Sequence, residues 1–238
     1  MEFADIHFHA LFGCDDGPKS EEQMIAMVDQ AYRSGTRLMC MTPHFHPAFC
    51  GDNRVSSLHA FERLSKHAIK AWPGLKLFLG NELRWDNAAV QWLKDGHCRT
   101  MDETRYVLMD FRENEALETI QKGLNQLLSA GYLPILAHVE RYRALFTRGD
   151  LVRAFRANGV LIQMDAGSVL GHYGLMAKTG SKRMLKARLI DLVCSDAHDE
   201  QERSPELNRA YEYVSSKYSH DYADRIFYHN AIALFCGE

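Results

Sequence analysis

Short, nearly continuous apolar runs alternate along this chain with longer stretches in which apolar residues return every three or four positions. Runs of the first kind fall at 3–9, 37–42, 75–82, 106–111, 133–138, 160–165 and 189–195. Segments such as LMCM, YVLMDF and VLIQM carry few polar breaks, as strands covered on both faces do. The second kind predicts helices at about 24–32, 54–71, 86–94, 115–129, 149–157, 175–187 and 204–217. Ser20-Glu21-Glu22-Gln23 has capping-box spacing ahead of the first helix, and Gly35 supplies its stop. Strands alternating with helices predict an α/β fold with a parallel sheet. An open doubly wound sheet and a closed barrel both fit that alternation.

The polar residues decide between them. His7 and His9 lie two apart at the end of the first strand, so they share a face while Ile6 and Phe8 take the other. The second strand runs into Thr42-Pro43-His44, and the third ends Gly80-Asn81-Glu82. The fourth carries Asp110, the fifth ends in His138, the sixth in Gln163-Met164-Asp165 and the seventh in Ser195-Asp196-Ala197-His198. Every predicted strand thus delivers a His, Asp or Glu at its C-terminal end, where active sites of parallel α/β folds form. A barrel brings all these ends together and an open sheet does not, so the barrel is expected.

Imidazole and carboxylate without thiolate is a donor set for borderline or hard divalent ions. Five histidines and several carboxylates exceed what one tetrahedral ion uses. Crowding Glu82, Asp110 and Asp196 together without cations is costly, because like charges oppose each other's ionisation. Two or three divalent ions relieve that repulsion. Arg141 and Arg203 follow His138 and His198 closely, and an arginine fork beside metal suits phosphate oxygens. The loop Asp15-Asp16-Gly17-Pro18 reads either as a simple turn or as a further carboxylate or proton donor at the cluster. His46 and Asp165 lie near the expected pocket with no role fixed by spacing, while His59 and His67 are expected at a helix surface.

Composition narrows the classes. The 238 residues carry a formal net charge of -3, which gives no reason to expect nucleic acid or an acidic membrane as partner. No apolar run approaches the ~18–20 residues that cross a bilayer, and the first strand leaves no room for a leader, so a cytoplasmic protein without membrane insertion is expected. The six cysteines form no C-x-x-C pair, and none has an arginine six positions later. Zinc ribbons and thiol-phosphatase cradles are therefore not expected. Nucleotide loops of the G-x-G-x-x-G and G-x-x-x-x-G-K-[ST] kinds are also missing from the sequence.

The set DIHFH, TPH, GNE, AHVER and SDAH resembles the polymerase and histidinol phosphatase (PHP) superfamily of metal-dependent phosphoesterases. Within it, the HxH…DDGP start, AHxER, and SDxH with a downstream arginine are similar to the bacterial tyrosine-protein phosphatases of capsule and exopolysaccharide operons. The resemblance implies a distorted (β/α)7 TIM-like barrel, one domain over 1–238, and two or three divalent ions. Manganese is common in such phosphatases, and zinc or iron suit the same ligands. It implies that His7, His9, Glu82 and Asp196 hold one ion, and that Glu82 bridges to a second held by Asp110 and His138. His44 and His198, with Asp16, hold the third, and Arg141 and Arg203 bind phosphate. Relatives of this type carry Glu at the place of Asp110, so a weakened or rearranged second site is expected. The implied reaction is hydrolysis of protein phosphotyrosine by an activated water, with no covalent enzyme intermediate. The implied partner is a phosphotyrosine protein such as a tyrosine kinase of polysaccharide export. A PHP phosphatase for a small ester such as histidinol phosphate is the alternative, and the oligomeric state is left open.

Overall fold

The computed structural model describes residues 1–236. Its strands are β1 (Phe3–Phe8), β2 (Thr36–Met41), β3 (His44–Phe45), β4 (Lys76–Leu79), β5 (Glu82–Arg84), β6 (Tyr106–Asp110), β7 (Leu133–Leu136), β8 (Leu161–Asp165) and β9 (Leu192–Cys194). They form a three-stranded sheet, β1-β2-β4, and a six-stranded sheet, β3-β5-β6-β7-β8-β9. Their pairings are parallel.

The expected strand at 75–82 is broken in two, the one at 37–42 is followed by a short strand that was not expected, β3, and these breaks shape the site. Pro43 has no N–H to give to a ladder, and the 37–42 run stops beside it. The 75–82 run stops at Gly80, where a Cβ would meet Met101 Sδ at 3.0 Å. Buried Asn81 ties the breaks together, donating from Nδ2 to Pro43 O at 2.9 Å and accepting from Arg99 N at 2.9 Å. Gly80 N and Glu82 N then donate to Met41 O and Pro43 O. After the break the register restarts with His44 opposite Glu82.

The last strand returns to the first. Asp196 N donates to His7 O and His9 N donates to Ala197 O, each at 3.0 Å. Asp5 reinforces this contact, accepting from Ser195 N at 3.0 Å. The parallel sheet is thus curled, as in TIM-like α/β folds. Side chains of β1, β2, β6, β7 and β9 meet Ala231 and Leu234 of the helix Asn230–Cys236 in one apolar cluster. Each fully buried Leu or Ile there is worth ~1.5–3 kcal/mol.

Helices cover the outside. Glu21–Arg33 buries Met24, Met27, Val28 and Ala31 on one stripe. Ser20 Oγ accepts from Gln23 N, as the capping box predicts, but Gln23 Oε1 reaches back to Lys19 N instead of Ser20 N. Arg54–Ala71 and Gly149–Ala157 match their expected spans, whereas the expected helices at 86–94 and 204–217 begin later, at Ala89 and Leu207. Pro47–Cys50 and Ala166–Leu170 were not expected, being too short to show a helical period. Residues 220–236, also not expected, are one helical stretch whose period is shifted by the π-helical turn Arg225–His229. Among the described residues no helix is long and apolar enough to cross a membrane.

Candidate metal centre

The period of β1 does what its sequence promises. His7 and His9 are both fully buried, and their Nε2 atoms stand 3.0 Å apart. Their other ring nitrogens are held from outside: His7 Nδ1 lies 3.3 Å from Gln163 Oε1, and His9 Nδ1 lies 2.8 Å from Asp15 Oδ2. Acceptors at Nδ1 direct the Nε2 lone pairs inward, the arrangement of metal-binding imidazoles. Two lone pairs this close need a proton or a cation between them.

Glu82 gathers the histidines. Its Oε2 lies 3.4 Å from His7 Nε2, 3.3 Å from His9 Nε2 and 2.7 Å from His44 Nδ1, and its Oε1 lies 3.0 Å from His138 Nε2. Asp110 Oδ1 is 3.5 Å from His138 Nε2 and accepts from the Tyr142 hydroxyl at 3.4 Å. Its Oδ2 pairs with Arg84. Asp196 turns Oδ1 toward His7 and His9, at 3.3 and 3.5 Å. Farther out, Asp16 Oδ1 lies 3.4 Å from His44 Nε2 and 3.3 Å from His198 Nε2. The donors thus fall into three groups: His7, His9 and Glu82; Glu82, Asp110 and His138; and His9, Asp16, His44 and His198. Glu82 and His9 each belong to two groups, and the His9 ring stacks on His198 with centroids 3.9 Å apart.

Two of these residues sit on unfavourable backbone. His138 has φ 32° and Asp196 has φ 52°, the left-handed region that costs a non-glycine residue ~1–3 kcal/mol. The strand-end hydrogen bonds hold them there: His138 N donates to Gln163 Oε1 at 2.7 Å, and Asp196 N to His7 O.

The electrostatics are those of a site built for cations. Burial opposes charge on Glu82, but the His7 and His44 imidazoles more than offset it and hold the carboxyl well below its usual range. Burial likewise opposes charge on His7, yet Glu82 and Asp196 outweigh it and raise the imidazole to about 10. Asp110 goes the other way, pushed up by burial and by Glu82. His198 is held down at about 4, by burial and then by His9. Glu82 Oε2 and His198 Nε2 are buried without an aligned hydrogen bond, the short approach of His44 included. Unsatisfied acceptors on hard or borderline donors fit divalent cations.

A cavity of about 340 Å³ opens over Glu82, Asp110 and His138 and is flanked by Arg141 and Arg203. Arg141 Nη2 lies 2.6 Å from Asp165 Oδ2 and 3.0 Å from Asp196 Oδ2, and the Tyr173 ring covers its guanidinium at 3.9 Å. Arg203 Nη2 reaches the same Asp196 oxygen at 3.0 Å. A turn closed by the Asp199 carboxylate on the N–H groups of Gln201, Glu202 and Arg203 sets it in place. The Nε atoms of both arginines are buried and have no acceptor.

All eleven residues singled out in the sequence as ligands or phosphate binders therefore border one place. His46 does not join them: its Nδ1 caps the turn Pro47–Cys50, accepting from Ala48 N, and its Nε2 faces Asp86 at 3.8 Å. Asp165 serves Arg141. Sequence reasoning had Asp15 only as part of an acidic loop, and it gave no role to Gln163, Arg84, Tyr142 or Tyr173. Gln163 had a usable signal, since it stands two before Asp165 and so shares its face, as His7 does with His9. Arg84 and Tyr173 had none.

The family model for capsular polysaccharide synthesis, CpsB/CapC, matches residues 3–236. The chain is 29% identical over 231 residues to the tyrosine-protein phosphatase CpsB of Streptococcus pneumoniae, covering 95% of each. It is 32% identical over 195 residues to the putative tyrosine-protein phosphatase CapC of Staphylococcus aureus, covering 82% of this chain and 76% of that protein. Among solved structures it is similar to a chain from the pair YwqE of Bacillus subtilis and CpsB of Streptococcus pneumoniae, described as unique metal-dependent tyrosine phosphatases. That likeness has a TM-score of 0.88 and 27% identity, over 99% of this chain and 95% of the other.

Proposed function

The chain belongs to the CpsB/CapC family of capsular polysaccharide synthesis, and from that membership we propose that it is a metal-dependent protein-tyrosine phosphatase. The observation that carries the reading is the pairing of three linked imidazole–carboxylate groups with two guanidinium groups anchored on one carboxylate, Asp196. His7, His9, Glu82 and Asp196 would hold one ion; Glu82, Asp110 and His138 a second; Asp16, His44 and His198 a third, with His9 at its border. Manganese is the ion proposed. When bound, such ions offset phosphoryl charge and acidify a water until it is nucleophilic near neutral pH.

The protein's own groups do the rest. Arg141 and Arg203 offer their open N–H donors to the phosphoryl oxygens, which gain charge as the ester bond breaks. Asp196 and Tyr173 fix those guanidiniums so that little freedom is lost on binding. A phenolate leaving group, from a parent pKa of ~10, needs less protonation than an alkoxide, which suits an aryl phosphate. Thiol chemistry does not suit this site: the Cys14 thiol beside it is pushed up to about 11 by burial. If the two broken strand pairs count as single bent strands, the nine segments reduce to seven, the (β/α)7 reading of one phosphoesterase domain over 1–238. A cytoplasmic setting and a tyrosine kinase of polysaccharide export as substrate belong to the same proposal.

The test is a parallel assay on metal-stripped protein with a phosphotyrosine peptide, histidinol phosphate and a phosphodiester, each with and without Mn²⁺. Mn²⁺-dependent phosphate release from the peptide alone is expected. Preference for histidinol phosphate, or cleavage of the diester alone, would overturn the tyrosine-phosphatase reading.

A further inference from the structure

A second cavity, of about 480 Å³, adjoins the metal centre at His44 and Asp16. It shares His44 and Arg84 with the arginine-flanked cavity, so the two meet at the metal cluster. Their linings differ in kind. The first is rimmed chiefly by guanidinium and carboxylate groups; the second sets Phe45, His46, Phe49, Cys14 and Cys50 beside the carboxylates of Asp15 and Asp16. Its volume falls in the range of small-molecule pockets.

The aromatic rim is built from one short piece of chain. β3 carries His44 and Phe45, and a single helical turn, Pro47–Cys50, follows directly. His46 and Phe49 lie three apart, so they share a face of that turn, and their rings stand 4.6 Å apart. Trp92 stands edge-on to both Phe45 and His46 and so braces the His46 ring on which Phe49 rests. Phe45 is buried, but Phe49 is 67% exposed. Its ring thus lies five residues beyond a candidate metal ligand, held beside aromatic neighbours and uncovered.

We propose that this aromatic cavity is the subsite for the ring of an aryl phosphate, with Phe49 as a specificity-determining residue that touches it. The inference rests on the phosphatase reading for the place of the phosphoryl group, and adds where the leaving group sits. The polar cavity takes the phosphoryl oxygens; the shared wall at His44 and Arg84 is crossed by the ester oxygen; the ring packs against Phe49 and His46. An alkyl phosphate of similar charge makes no such contact, so the site separates phosphotyrosine from small alkyl esters by binding as well as by leaving-group chemistry.

The experiment measures binding to the Mn²⁺-loaded protein by calorimetry, with phenylphosphonate and methylphosphonate as non-hydrolysable probes. Wild type is expected to prefer the phenyl compound about tenfold, an ordinary worth for one aromatic contact. Phe49→Ala should remove most of that preference while leaving methylphosphonate affinity unchanged, and Phe49→Trp should keep it. An unchanged preference in Phe49→Ala, or an equal loss for both probes, would overturn the assignment. Phe49→Leu serves as a second variant that keeps bulk without the aromatic face, and it too should lose the preference. A phosphotyrosine peptide assay runs alongside: phenyl preference without peptide turnover would sink the phosphatase reading and leave the subsite standing.

Discussion

Glu82 and Asp16 are both carboxylates with imidazoles on more than one side, yet Glu82 is 1% exposed and Asp16 is 60% exposed. Glu82 sits at the start of a strand, with its backbone in a ladder and its side chain among four histidines. Asp16 sits in the loop after β1 and touches His44, His198 and Arg203 from the solvent side. The inner part of the centre is fixed by the sheet, and its close imidazoles need a proton or a cation between them. The outer part adds an exposed loop carboxylate to buried His9 and His198 and to half-buried His44. The two parts should therefore respond differently to the same kind of change.

The largest difference is expected from neutralising each acid. Glu82→Gln removes the charge shared by two ligand groups, so turnover should fall at least ~100-fold and bound metal should drop with it. Elemental analysis of the purified variant checks this; full metal content with full activity would place Glu82 outside the centre.

A smaller effect should appear in the pH dependence of the metal-stripped protein. His7 is raised in the folded state to about 10. A raised histidine stabilises fully below its unfolded pKa, ~6.5, and loses that contribution as pH climbs to the folded value. The melting temperature of the stripped protein should therefore fall between about pH 6.5 and 10, by roughly 5 °C. With ions loaded the fall should flatten, because ions replace the proton between the imidazoles. Equal slopes in both forms would show that the inner histidines carry no such proton.

The smallest effect is expected at the outer acid. Asp16→Asn should change stability by no more than ~0.5 kcal/mol, as surface changes do, and reduce turnover by about tenfold or less. A loss as large as that of Glu82→Gln would erase the distinction between the two parts.

The same division explains what could be read from the sequence. Strand ends obey a period of two, so His7 with His9, and Asp196 with the strand before it, were visible as a converging set. The loop Asp15-Asp16 was visible as a turn or a further carboxylate, without a period to say which acid faces which group. Neighbouring side chains in a turn point apart, and the structure buries Asp15 against His9 while leaving Asp16 near the third group. Arg84 was hidden because its partner, Asp110, lies on the next strand, and cross-strand register follows from the break at Gly80-Asn81. That break could not be read either, since an apolar run with one glycine also fits an unbroken strand.

The hydrogen bonds that join β9 to β1 have a consequence for biosynthesis. Asp5 and Ser195 are 190 residues apart, so the candidate ligands beside that contact come from distant parts of the chain. A nascent chain carries His7 and His9 out of the ribosome long before Asp196 and His198 exist to complete their surroundings. Contacts of such separation form late and slowly, so the histidine pair waits without its full set of partners for most of synthesis. Closure of the sheet therefore comes only after most of the chain has been made. A protein interrupted before Asp196 would lack the carboxylate that Arg141 and Arg203 share.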